Sequence, residues 1–230
     1  MDTVDDLERG RDAYRRRAWL DAFKLLALAD EAVGLAAEDL EPLATAATLV
    51  GRGEDGVRAL ERAHHVYLDA GDAVGAARCA GWIGFFLADM GELARASGWF
   101  GRAQRLLDRA ERDCVERGYL LVPVLMGLVE SGDWEALDAT AGGVLDIGER
   151  FADVDLVATA LLFRGNALIR TQRVPEGLAL LDEAMVAVAA GELSSPLITG
   201  LVYCGVIDTC GELYELRRAT EWTAAPDPVV

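Results

Sequence analysis

Aromatic residues are scarce in this 230-residue chain, at 7% against a hydrophobic total of 52%, so its apolar content is mostly alanine, leucine and valine. That excludes a core of large rings and favours the close packing of helices. Lysine is almost missing: Lys24 stands alone and every other basic side chain is arginine, a bias that fits GC-rich coding and carries no mechanism. Positive charge is short altogether, with 22 basic against 39 acidic residues and a formal net charge of −17. A surface of that sign repels a polyphosphate backbone, so direct binding of nucleic acid is not expected. Long apolar runs are missing too. The longest, near Tyr119 to Val129, falls short of the roughly 20 residues that span a bilayer. The acidic opening Met1-Asp2-Thr3-Val4-Asp5-Asp6 does not read as an export signal. These features predict a cytoplasmic protein with no membrane partner, where Cys79, Cys114, Cys204 and Cys210 stay reduced and serve as small helix-packing residues.

Alternation of period two between hairpin turns is nowhere sustained, which excludes strands. Helical periodicity replaces it. From Leu93 to Arg112 the residues Ala96, Trp99, Phe100, Ala103, Leu106, Leu107 and Ala110 form one apolar stripe. Val57, Leu60, His64, Tyr67 and Leu68 form another, stopped by Gly71 with Asp72 as the next cap, and Leu178, Leu181, Ala184, Met185 and Val188 a third. Asp133 is placed to cap a helix over Trp134 to Ile147, Pro175 falls in a first turn, and Ser195-Pro196 is a cap followed by proline at the first helical position.

The helices recur at near-regular intervals. Ala22, Ala59, Ala96, Leu137, Gly177 and Ala219 occupy one position in the second helix of successive hairpins, separated by 37, 37, 41, 40 and 42 residues. An all-α array of about six helix-turn-helix hairpins follows, in which each unit packs on its neighbours. Gly84, Leu87, Ala96, Phe100 and Ala103, with Ile83 ahead of them, stand at the spacings of the tetratricopeptide consensus, and Gly165 and Ala184 repeat part of that pattern. The chain thus resembles tetratricopeptide arrays, which implies a right-handed α-solenoid. In this reading Gly84 and Ala96 admit close helix approach, and Phe100 fills space toward the next repeat. Residues 1–224 form one such domain and 225–230 a short non-helical tail.

Further stretches, Trp19-Leu20-Asp21-Ala22, Gly56 to Ala63, Cys114 to Leu121, Leu180 to Met185 and Leu216 to Ala219, look like the repeat region of actinobacterial LuxR-type transcriptional regulators. The resemblance implies a sensor or interaction module that ordinarily precedes a DNA-binding helix-turn-helix. After Glu221-Trp222 the sequence runs Ala225-Pro226-Asp227-Pro228-Val229-Val230 and contains no such element. The last helix, from about Glu215 to Ala224, is short and lacks a polar cap, which offers a surface for a homodimer or another protein.

Motifs of specific chemistry are weak. Gly51 to Gly56 spells G-x-G-x-x-G, but Leu43 to Val50 ahead of it reads as helix and Glu54 and Asp55 would oppose a pyrophosphate, so a turn inside a hairpin explains it better than a dinucleotide site. His64 and His65 point about 100° apart on a helix and cannot share a metal as an i, i+4 pair does; one is read as core and one as surface. Cys204 and Cys210 differ by about 240° around a helix and do not share a face. No cofactor, metal or catalytic constellation is expected, and the chain is read as not an enzyme.

The family register supplies a candidate binding groove along the first helices, with Arg78, Phe85, Asp89, Tyr119, Met126, Asn166, Arg170 and Asp208 as its lining. Polar groups on helices otherwise built of alanine and leucine call for a reason. The leading expectation is a non-catalytic module that takes a protein partner or small ligand in that groove and acts on transcription through a partner. Two alternatives stand beside it. One is an apolar-ligand-binding protein or enzyme on the same scaffold, with Phe85, Tyr119, Met126 and Tyr203 as wall and Arg170 or Asp208 as anchor. The other is an adaptor whose capture of peptides depends on Arg78 and Arg170.

Overall fold

The computed structural model describes residues 3–224, of which 82% are helical and none are in strands. In chain order the helices are α1 (Thr3–Arg15), α2 (Trp19–Val33), α3 (Ala37–Leu49), α4 (Gly53–Asp69), α5 (Ala73–Asp89), α6 (Leu93–Ala110), the single turn α7 (Glu116–Tyr119), α8 (Val122–Ser131), α9 (Trp134–Phe151), α10 (Val154–Arg170), α11 (Val174–Ala189), α12 (Pro196–Glu212) and α13 (Leu216–Thr223). The tail expected at 225–230 lies outside the described residues. No described helix is long and apolar enough to cross a membrane.

One kind of turn joins many of these helices. A residue of positive φ follows the helix end, and the next N–H reaches back five residues to a helix carbonyl. Arg52 N donates to Ala47 O at 2.8 Å, Glu92 N to Leu87 O at 2.8 Å, Asp133 N to Leu128 O at 3.1 Å, Arg173 N to Leu168 O at 2.8 Å and Glu215 N to Cys210 O at 2.9 Å. Ala18 N to Ala13 O, at 2.9 Å, is the same bond after α1. Glycine fills the left-handed position after α3, α5 and α8, as Gly51, Gly91 and Gly132, but Arg17, Gln172 and Tyr214 adopt it elsewhere at φ of 59°, 67° and 59°. The G-x-G-x-x-G stretch is one of these turns, with α3 before it and α4 starting at Gly53. The expected caps hold: Asp72, Asp133 and Ser195 each accept a hydrogen bond from a backbone N–H in the following first turn.

The helices divide by packing into two compact units, Met1–Glu116 and Arg117–Val230. In the first, α1 packs on α2, α3 on α4 and α5 on α6, with α2 on α3 and α4 on α5 between the pairs. The spaced small residues make these approaches: Ala22, Ala59 and Ala96 are all buried. α5 is apolar around most of its circumference, with Gly75, Ala76, Ala77, Cys79, Ala80, Gly81, Ile83, Gly84, Phe86 and Leu87 buried, as befits a helix with neighbours on both sides. Phe100 corrects the sequence reading. Its ring lies over Gly84, where an added Cβ would come within 2.6 Å of it, so it fills the gap inside its own hairpin.

In the second unit α10 is the central helix, packed on α9, α11 and α12. Its run from Leu156 to Ile169 is almost wholly buried. Gly165 and Gly177 set the distance between α10 and α11, because a Cβ on Gly177 would stand 2.5 Å from the Gly165 carbonyl oxygen. Leu137 is buried as the spacing requires, whereas Ala219 is only half-buried and α13 has no buried residue.

Candidate functional site

α5 carries Arg78, Phe85 and Asp89 along one face, at i, i+7 and i+11. Arg78 is partly exposed but paired. Its Nε donates to Glu41 Oε2 at 2.9 Å and its Nη2 to Glu41 Oε1 at 2.8 Å, a two-pronged pair across α3 and α5. Nη1 adds Glu116 at 3.4 Å, and the guanidinium lies 5.5 Å from the centre of the Tyr67 ring. Tyr67 closes the cluster by donating its hydroxyl to Glu41 Oε1 at 2.7 Å. The Glu41 bonds hold the Arg78 guanidinium well above its usual range, while burial, then the Glu41 bond, raises the Tyr67 phenol. Beside them, burial pushes the Cys79 thiol up to about 12, which makes it inert.

Phe85 is different in kind. It is half-buried, with its ring edge-to-face on Phe100 at 5.4 Å and 84°, and part of its apolar surface faces outward. Asp89, one turn on, is exposed and lines an open cleft of about 500 Å³ with Phe86, Met90, Arg52 and Arg58. Arg52 and Arg58 in that cleft both pair with Asp55.

Asn166, Arg170 and Tyr119 of the second unit are engaged likewise. Asn166 Oδ1 accepts from Thr209 Oγ1 at 2.8 Å, and Asn166 Nδ2 donates to Leu162 O at 3.0 Å. Arg170 pairs with Glu212 and lies 5.5 Å from the centre of the Trp134 ring. Tyr119 donates its hydroxyl to Asp153 Oδ1 at 2.9 Å, the same oxygen that caps α10 through Leu156 N. Met126 on α8 is 43% exposed, Tyr203 is half-buried and Asp208 is exposed, both on α12.

These contacts share a pattern that sequence reading missed. Arg11 on α1 holds buried Asp39 on α3 through two bonds of 2.7 Å, Glu41 on α3 holds Arg78 on α5, and Asn166 and Arg170 on α10 hold Thr209 and Glu212 on α12. Each tie joins two first helices of successive hairpins. Second helices are tied too: Asp30 on α2 with Arg62 on α4, and Asp182 on α11 with Arg218 on α13. The Arg62 bond lowers the Asp30 carboxyl below its ordinary value. A signal existed in the sequence, since partners lie 28 to 43 residues apart, near one hairpin length.

Two smaller readings resolve here. His64 is fully buried and His65 exposed, as expected. Cys204 is exposed, unlike Cys79, Cys114 and Cys210; the six-residue offset from buried Cys210 turns it to the exposed face of α12. Asp155 is a buried acid whose carboxyl is raised by burial, but its oxygens accept from Ser194 N, Ser194 Oγ and Ser195 N, so it anchors the turn ahead of α12.

These elements define an all-helical protein of consecutively packed helix pairs. No protein-family model and no curated protein matches the chain. Among solved structures, the crystal structure of BtubC (BKLC) from P. vanneervenii is similar in fold, with a TM-score of 0.50 and 15% sequence identity over 80% of this chain and 74% of that one. The resemblance to LuxR-type regulators rests on the quoted sequence stretches alone.

Proposed function

We propose that this chain is a non-catalytic binding module of tetratricopeptide kind, comparable to the repeat part of a LuxR-type regulator, that docks a protein partner on the α5 face of its first unit and acts on transcription through that partner. The observation that supports this reading is Phe85. It keeps outward apolar surface beside exposed Asp89, while the neighbouring cation Arg78 is already satisfied by Glu41. A face of this kind recognises by aromatic contact with an acidic flank and does not depend on a free cation. The peptide-adaptor alternative needs Arg78 free to bind and is therefore less well supported.

The test is capture of partners by the purified chain, followed by titration of the purified partner against wild type and Phe85→Ala. Loss of a half-buried aromatic anchor should weaken binding by at least tenfold. Equal affinity for both proteins would refute the docking face. Native mass spectrometry of the chain addresses the alternative of a small-ligand protein or enzyme: a retained low-mass ligand and no protein partner would replace the present reading with that one.

A further inference from the structure

Among the described residues two buried side-chain nitrogens lack a hydrogen-bond partner, Arg218 Nε and His64 Nε2. The Arg218 guanidinium is otherwise engaged by Asp182 and partly open to solvent. His64 is wholly buried, with none of its surface reachable by water. Its ring stands on α4 where that helix meets α5 and α6. Nδ1 lies 2.7 Å from the Ala76 carbonyl oxygen on α5, and a carbonyl only accepts, so Nδ1 carries the proton and Nε2 is left with a bare lone pair. Trp99 on α6 meets the ring edge-on at 5.2 Å and 86°.

The neutral ring therefore fits this junction and the charged ring does not. A proton on Nε2 would create a donor with no acceptor, and a cation with no water, in a buried junction. The charged and titratable groups that face it are Arg102 from α6, whose guanidinium lies 5.4 Å from the centre of the Trp99 ring, and His65 next to it on α4. Both oppose a further positive charge, and α5 presents the Ala76 carbonyl, already occupied by Nδ1–H. Burial, with these two groups behind it, lowers the His64 imidazole from its ordinary value of 6.5.

We propose that His64 is an acid-sensitive latch, whose protonation parts α4 from the α5/α6 pair in the first unit. This holds whether or not the α5 face docks a protein. The sign follows from linkage. The unfolded or opened chain binds a proton near pH 6.5 and the closed one only below that, so the latch holds fully above 6.5 and weakens as pH falls through the interval beneath it.

Hydrogen–deuterium exchange at pH 7.5 and 5.5, corrected for intrinsic rates, tests this on the whole chain. In wild type and His65→Gln, amides of α4 to α6 should lose protection relative to α1 and α2, by up to tenfold per pH unit, the limit for one proton. His64→Phe should remove that differential loss. Persistence of the loss in His64→Phe, or its absence from wild type, would overturn the proposal. Should His64→Phe not fold, the imidazole nitrogen signals of the wild type decide, since the sequence has only two histidines. A neutral Nδ1–H form with a midpoint below 6.5 sustains the latch; an Nε2–H form, or a midpoint at or above 6.5, refutes it.

Discussion

Gly177→Ala places a methyl group in the tightest helix approach of the second unit. Its ideal position lies 2.5 Å from the Gly165 carbonyl oxygen, 2.6 Å from Ile169 Cγ1 and 3.1 Å from Ile169 N. Two of these three atoms are backbone of α10, which has neighbours on further sides and cannot simply withdraw. Overpacking costs about 1–3 kcal/mol, with a rigid neighbour at the upper end. Alanine in a helix interior returns about 1 kcal/mol of propensity over glycine. The net expectation is a loss of about 2 kcal/mol. Gly142 in α9 is the control, because an added methyl there meets nothing within 4 Å. Gly142→Ala should gain up to about 1 kcal/mol, so the two variants should differ by about 3 kcal/mol in opposite directions from wild type. Urea unfolding followed by helical circular dichroism measures both. A Gly177→Ala protein as stable as wild type would show that α10 and α11 do not approach as described.

Three further outcomes are expected. Gln172→Gly relieves a left-handed residue at φ 67° and should stabilise by about 0.5–1 kcal/mol in the same assay, after allowing for the greater freedom of glycine in the unfolded chain. Thiol titration of the native protein should find Cys204 alone reactive, with Cys79, Cys114 and Cys210 released only by denaturant, since these three are buried. Thr209→Val removes the 2.8 Å bond to Asn166 while keeping shape, and should cost about 1 kcal/mol on unfolding.

The fold was largely legible because its determinants are local. Gly71 with Asp72, Asp133 and Ser195-Pro196 each act within one turn of the helix that they stop or start, and the stripe from Ala96 to Ala110 depends only on period. Arg17, Gln172 and Tyr214 escaped notice because nothing in their side chains asks for a positive φ; the six-residue hydrogen bond around each imposes it. Phe100 fills the gap inside its own hairpin and not the one toward the next repeat, since spacing gives a face of a helix but not which neighbour it meets. The polar candidates expose a deeper limit. Apolar packing does not explain Arg78, Asn166 and Arg170, but a partner about one hairpin away satisfies each, and a single helix does not display that partner. Phe85 keeps its candidacy because no such partner is supplied by charge.

Arg78, Asn166 and Arg170, conspicuous polar residues on the first helices, tie successive first helices together. A double-mutant cycle on unfolding free energy with Arg78→Met and Glu41→Gln tests this most directly. The pair is two-pronged, but the Arg78 side chain is 37% exposed, so solvent screening holds the expected coupling to about 1 kcal/mol. Additivity of the two substitutions within about 0.3 kcal/mol would contradict the account and return Arg78 to the list of groups free to meet a partner.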